Sequence, residues 1–218
     1  MYHYVEDREF LKNMRWVCSN IINQLVQDIN NENEMEVEAQ LIGSGARKLE
    51  TQNANEPIDL DYNINIVGID YDINNCKRIK EYIRKKFNIV LSRNNWSDSK
   101  DSKSVLSTSY IRLEGNNKTK FKIDLGIVFE SNNGSWYRLV HKKTGTIAND
   151  EWIWNEGPNS KNLVKKVNYI KNCNGWPKVI KTYLEKKNMY LRKNDHNHPS
   201  FICYIETINE VYKAKGGK

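Results

Sequence analysis

"IDLDYNINIV", residues 58 to 67, alternates apolar Ile58, Leu60, Tyr62, Ile64 and Ile66 with polar Asp59, Asp61, Asn63 and Asn65. A period of two is the signature of a β-strand with one buried and one polar face. Asp59 and Asp61, two positions apart, must then project from the same face into one small region. Such crowding of negative charge is unfavourable in isolation, and a bound cation removes the penalty.

Two neighbouring stretches complete the picture. Downstream, "TKFKIDLGIVF" places Phe121, Ile123 and Leu125 on one face and Lys122 and Asp124 on the other, so a third carboxylate sits on the polar side of a second strand. It reads as the return arm of a hairpin whose first arm is "VLSTSYIRLE" and whose turn is "GNNK". Upstream, "EVEAQLI" reads as a short strand delivering Gly43 and Ser44 at its end, within "LIGSGARK". That segment looks like a phosphate loop but lacks the GxxxxGK[ST] pattern of a Walker A motif. It also lacks GxGxxG, because Lys48 stands where the last glycine would be. Mg²⁺ favours hard oxygen ligands supplied by a few carboxylates and substrate phosphates, so Asp59, Asp61 and Asp124 form a candidate set for one or two ions. Gly43 and Ser44 would offer backbone N–H groups and a hydroxyl to terminal phosphates, since glycine lets the backbone approach closely.

The rest of the chain supplies a frame. Phe10, Leu11, Met14, Val17, Cys18, Ile21, Ile22, Leu25, Val26 and Ile29 recur at three- and four-residue steps, predicting a long amphipathic helix. Cys76, Ile79, Ile83 and Phe87 line one side of a basic helix with Asp72 or Asn74 as N-cap. "SWYRLVHKK" continues the strands, and "NEGPNS" reads as the boundary to a helical end in which Pro177 opens a helix. The expected division is a core over residues 1–157 and a C-terminal helical lobe over 158–218.

With 218 residues and a formal charge of +7, the chain suits one compact two-lobed unit and an anionic partner. No run approaches the roughly 20 apolar residues of a membrane span. The start, "MYHYVEDREF", has no signal-peptide character. Cys18, Cys76, Cys173 and Cys203 show no CxxC spacing, so neither a zinc knuckle nor a disulfide framework is suggested. A cytoplasmic protein without a membrane partner is expected.

In "IGS", "DLD" and "KIDLGIV" the sequence resembles the DNA polymerase β-type nucleotidyltransferase superfamily: an apolar residue, Gly, Gly or Ser, a gap, Asp-apolar-Asp, and a later Asp in an apolar strand. The resemblance covers roughly residues 36 to 129. It implies an α+β fold, with a mixed or antiparallel sheet flanked by helices and a helical lobe closing the cleft. It also implies an enzyme moving a nucleoside monophosphate from a nucleoside triphosphate, ATP by expectation, to an acceptor hydroxyl, with two Mg²⁺ ions on Asp59, Asp61 and Asp124. Gly43, Ser44, Arg47 and Lys48 are the candidate triphosphate-binding residues. The acceptor expected is a small molecule such as an antibiotic. The alternatives are RNA or a protein side chain, as in toxin–antitoxin pairs, or a non-catalytic nucleotide-binding module.

Three other features carry ordinary structural readings. Trp152, Trp154 and Trp176 are expected to pack the lobes together. His196 and His198 read as a solvated loop. Lys165, Lys166 and Lys181 are available to a triphosphate from the helical lobe, and spacing does not choose among them.

Overall fold

The computed structural model describes residues 1–115, 117–157, 162–195 and 199–217. In chain order the elements are β1 (Tyr2–Tyr4), α1 (Arg8–Asn30), β2 (Met35–Leu41), α2 (Gly43–Arg47), β3 (Thr51–Asn53), β4 (Ile58–Ile69), α3 (Cys76–Arg93), β5 (Lys100–Asp101), β6 (Leu106–Ser107), β7 (Phe121–Glu130), β8 (Trp136–Lys142), a 3₁₀ turn at Ile147–Asn149, β9 (Glu151–Glu156), α4 (Leu163–Asn172), α5 (Trp176–Arg192) and α6 (Ser200–Ala214).

The chain folds as an α+β protein around a mixed sheet. β4 lies between β2, antiparallel to it, and β7, parallel to it. The second edge of β7 carries β6 and, further along, β8, which pairs with β9. A parallel neighbour requires a crossover, and α3 supplies it. The alternation read in the sequence is realised: Ile58, Leu60, Tyr62, Ile64 and Ile66 are all buried. They meet Phe121, Ile123 and Leu125 of β7 and the apolar stripes of α1 (Met14, Cys18, Ile21, Leu25) and α3 (Ile79, Ile83, Phe87) in one core. With the helices covering this face, the opposite face of β4 and β7 is left for the polar residues.

Local signals set the helix ends. Asp7 caps α1 by accepting from the Phe10 backbone N–H at 2.9 Å. α3 begins one residue later than Asn74 would place it: Asn75 is its cap, accepting from Arg78 N, while Asp72 instead accepts from Asn74 in a tight turn. The expected hairpin arm before β7 is mostly irregular, holding only β6 and an Ile111–Phe121 bridge.

A second apolar cluster joins Ile170, Val179, Tyr183, Cys203, Tyr204, Ile208 and Val211 of α4 to α6 with Leu49, which follows α2. The short β1–β3 ladder ties the chain's start to this cluster. Asn188 of α5 accepts from Tyr2 N–H at 2.7 Å and donates to Tyr2 O at 3.0 Å, and the Tyr4 hydroxyl donates to Ile180 O at 2.7 Å. The tryptophans do not bridge the lobes as expected. Trp154 packs edge-on against Phe129 and donates to Ile73 O, Trp152 stacks on His141, and Trp176 packs on the helical cluster. β9, unread in the sequence, explains this: its alternate residues Trp152 and Trp154 share the face turned to the sheet core.

Candidate functional site

The parallel register of β4 and β7 sets Asp61 directly opposite Asp124 and Asp59 directly opposite Lys122. All four side chains therefore leave the sheet on its polar face, between buried Leu60 and Tyr62 on one strand and Ile123 and Leu125 on the other. β6 adds a hydroxyl, because Ser107 pairs with Asp124 in the antiparallel register and donates to its Oδ1 at 2.6 Å.

Gly43 closes the site from the β2 side. Ile42 N–H donates to the Asp61 carbonyl at 2.8 Å, which pulls the turn after β2 against β4. Gly43 then takes φ +64°, and a Cβ there would collide with Asp61 Oδ2. Glycine is required on both counts. The expected loop is the short helix α2, which ends with Lys48 in the left-handed conformation, exposed to solvent. Arg47 turns the other way: its guanidinium lies 4.2 Å from the centre of the Tyr204 ring and 5.4 Å from that of Phe201, holding α2 to α6.

Charge balance on this face is uneven. Burial, with the carboxylates of Asp124 and Asp59 beside it, pushes the Asp61 pKa up to about 6. Asp59 has a side chain 48% exposed, yet it sits in the recess of the sheet, and that burial raises its pKa against the pull of Lys122. Lys122 Nζ lies 3.0 and 2.8 Å from the two Asp124 oxygens and 3.6 Å from Asp59 Oδ1. Burial alone would lower the Lys122 pKa; its bonds to Asp124 and the field of Asp59 outweigh this and raise it. Asp61 has a more distant cation in Arg138. That guanidinium crosses β7 over Gly126, whose missing side chain makes the room, and donates to Asn63 Oδ1 at 3.0 Å.

α5 brings Lys187 toward this face. Its Nζ donates to Thr51 Oγ1 at 2.7 Å and lies 3.9 Å from the centre of the Tyr2 ring. Burial lowers its pKa to about 8, against the opposing fields of Cys203, Asp59 and Asp61. Meeting a triphosphate from the helical end was the role left open among lysines 165, 166 and 181. Lys166 instead donates to Asn209, and Lys181 pairs with Glu185.

The three carboxylates and the glycine turn singled out in the sequence come together on this face, and Ser107, Arg138 and Lys187 were not singled out there. Lys122 was legible as a residue on the Asp124 face; its partner Asp59 was not, since that needs the β4–β7 register. His196 and His198 lie outside the described residues.

The donor set consists of hard carboxylate oxygens, which suits Mg²⁺ or Mn²⁺ better than a soft metal, and an ammonium already bridges two of the carboxylates. Among the described residues no three His, Cys, Asp or Glu side chains are gathered into a ready-made metal shell. No described helix is long and apolar enough to cross a membrane.

No protein-family model and no curated protein matches the sequence. Solved structures do match in shape. The Escherichia coli MS115-1 CdnC structure with ATP superposes with a TM-score of 0.60 at 14% identity, over 93% of this chain and 60% of that one. The complex of CdnC with HORMA-deltaN from the same source gives 0.56 at 15% identity, over 90% of this chain and 57% of that one. The chain therefore spans about 60% of the length of the CdnC chain it matches. At these identities the likeness is one of fold: the chain is an α+β protein with the nucleotidyltransferase-type fold that CdnC also has.

Proposed function

We propose, on the premise of this shared fold, that the chain is a divalent-metal-dependent nucleotidyltransferase that moves a nucleoside monophosphate from a nucleoside triphosphate to an acceptor hydroxyl. One observation carries the reading: Asp61 and Asp124 face each other across the β4–β7 pair, with Asp59 on the same face and the Gly43 turn against Asp61. In this reading Asp59 and Asp61 would hold the ions that neutralise the triphosphate, and Asp124 would help to hold the ion that activates the acceptor hydroxyl. Bound divalent ions would neutralise charge on the phosphoryl oxygens and lower the pKa of the acceptor hydroxyl. Gly43 and Ser44 present backbone and hydroxyl to the terminal phosphates, and Lys187 meets them from the helical lobe. Ser107 orients the Asp124 carboxylate. The acceptor oxygen attacks the α-phosphorus in line, its proton passes to solvent or a nearby base, and pyrophosphate leaves. The protein's share of the rate comes from positioning and fixed charge.

ATP is the first triphosphate to test, because the CdnC structure of matching fold holds it. The acceptor is a small hydroxylated molecule, with RNA or a protein hydroxyl as alternatives. The division into a core (1–157) and a helical lobe (158–218) belongs to the same proposal. Incubating the protein with each α-labelled triphosphate and Mg²⁺ or Mn²⁺, alone and with a cell extract, tests it. Labelled product and pyrophosphate are expected from the wild type and from neither Asp61→Asn nor Asp124→Asn. Equal labelling by those variants would remove the assignment. An RNA acceptor would announce itself by binding that weakens steeply with salt.

A further inference from the structure

Lys122 occupies an unusual place. Its ammonium is within 3.0 Å of both oxygens of Asp124 and 3.6 Å from Asp59 Oδ1, so one side chain engages two of the three carboxylates at once. The arrangement follows from the backbone: Lys122 is two residues before Asp124 on β7, hence on its face, and is the register partner of Asp59 on β4. The side chain is only 20% exposed and that of Asp124 13%, so the contact is shielded from screening by solvent. Ser107 takes part of the remaining acceptor capacity of Asp124 Oδ1. Asp61 alone among the three has no cation in direct contact among the described residues.

A divalent ion shared by these carboxylates must coordinate at least one oxygen that Lys122 now binds. Both cations cannot use the same lone pairs, and placing them side by side is repulsive. We propose that Lys122 is a built-in counter-ion that competes with the divalent metal for Asp59 and Asp124, so that metal binds weakly to the free protein and well only together with a nucleoside triphosphate. The phosphates offset the extra positive charge and give the displaced ammonium a new anion to face. Metal and nucleotide thereby load as one event, and without nucleotide the lysine stays with Asp59 and Asp124. This inference rests on the carboxylate site proposed above and adds Lys122 to it as a positioning residue, acting through Asp59 and Asp124.

The test needs no turnover. Mn²⁺ binding is measured by electron paramagnetic resonance of free Mn²⁺ for the wild type, Lys122→Met, Lys122→Gln and Asp124→Asn, without nucleotide and with a non-hydrolysable α,β-methylene ATP. Without nucleotide, Lys122→Met and Lys122→Gln should bind Mn²⁺ roughly tenfold more tightly than the wild type, the order expected for removing one partly buried like charge a few ångströms away. The analogue should shrink that gap, and Mn²⁺ should raise the melting temperature of Lys122→Met more than that of the wild type. If both lysine variants bind Mn²⁺ as the wild type does or more weakly, while Asp124→Asn binds less, the metal site stands and the role of Lys122 falls. If none of the proteins binds Mn²⁺ with or without the analogue, both fall together. The Gln variant, which can still hydrogen-bond Asp124, keeps the comparison available should Lys122→Met fold poorly.

Discussion

Replacing Asp61 by asparagine should stabilise the metal-free protein while abolishing transfer. The carboxyl of Asp61 has its pKa moved from 3.8 to about 6 by burial and by the neighbouring carboxylates. A raised acid pKa means the folded state binds the proton more tightly than the unfolded chain. Below about pH 4 both states are protonated and nothing is lost. As pH rises from 4 to 6 the unfolded chain ionises first and stability falls, and above 6 to 7 the full penalty applies. At 1.36 kcal/mol per pH unit, the displacement corresponds to about 3 kcal/mol. Asparagine is isosteric and uncharged, so it avoids that penalty. In urea denaturation at pH 7.5 with a chelator present, Asp61→Asn should exceed the wild type by about 1 to 3 kcal/mol, the lower end allowing for relaxation around the charge. The difference should vanish near pH 4, and saturating Mn²⁺ should narrow or reverse it by binding the wild-type site. An Asp61→Asn protein no more stable than the wild type at pH 7.5 in chelator would refute the view that this face is short of positive charge.

Other positions carry their own expectations. Gly43→Ala forces a Cβ into the left-handed region and onto Asp61 Oδ2. It should cost about 1 to 2 kcal/mol, seen as a melting temperature lower by a few degrees, with weakened Mn²⁺ binding. Lys187→Met should lower triphosphate affinity roughly tenfold in a binding titration, the value of one charge-assisted contact. Because the folded pKa of Lys187 is depressed to about 8, the wild type should gain stability as pH rises from 8 to 10.5, and the Met variant should lack that gain in chemical denaturation. His141 is buried, with Nδ1 2.7 Å from Asp101 Oδ2 and Nε2 2.8 Å from Asp150 Oδ2, and it joins β8 to the turn before β9. His141→Phe keeps the stacking on Trp152 but removes both ring nitrogens that hold the carboxylates, so its thermal melt should come earlier; an unchanged melt would show the clamp to be idle.

Periodicity alone determined a good deal about this protein. The alternation in Ile58 to Val67 and Phe121 to Leu125 marked both strands and assigned Asp59, Asp61 and Asp124 to polar faces. The three- and four-residue spacing in α1 and α3 made the helices that bury the opposite faces. These features are local, because side-chain direction follows from backbone repeat. Local rules failed where they met one another: β9 was missed because its six residues alternate weakly, and the tryptophans it carries were assigned to the wrong neighbours.

Only the tertiary structure decided which groups meet. No spacing along the chain indicates that β4 and β7 run parallel in the register that sets Asp61 beside Asp124 and Lys122 beside Asp59. Nor does it indicate that Ser107 reaches Asp124, or that Lys187, more than 120 residues away from Asp61, lies close enough to feel its charge. Register and lobe packing are set by long-range burial, in which the whole core takes part, so the electrostatic balance of the site is a property of the folded chain and not of any segment within it.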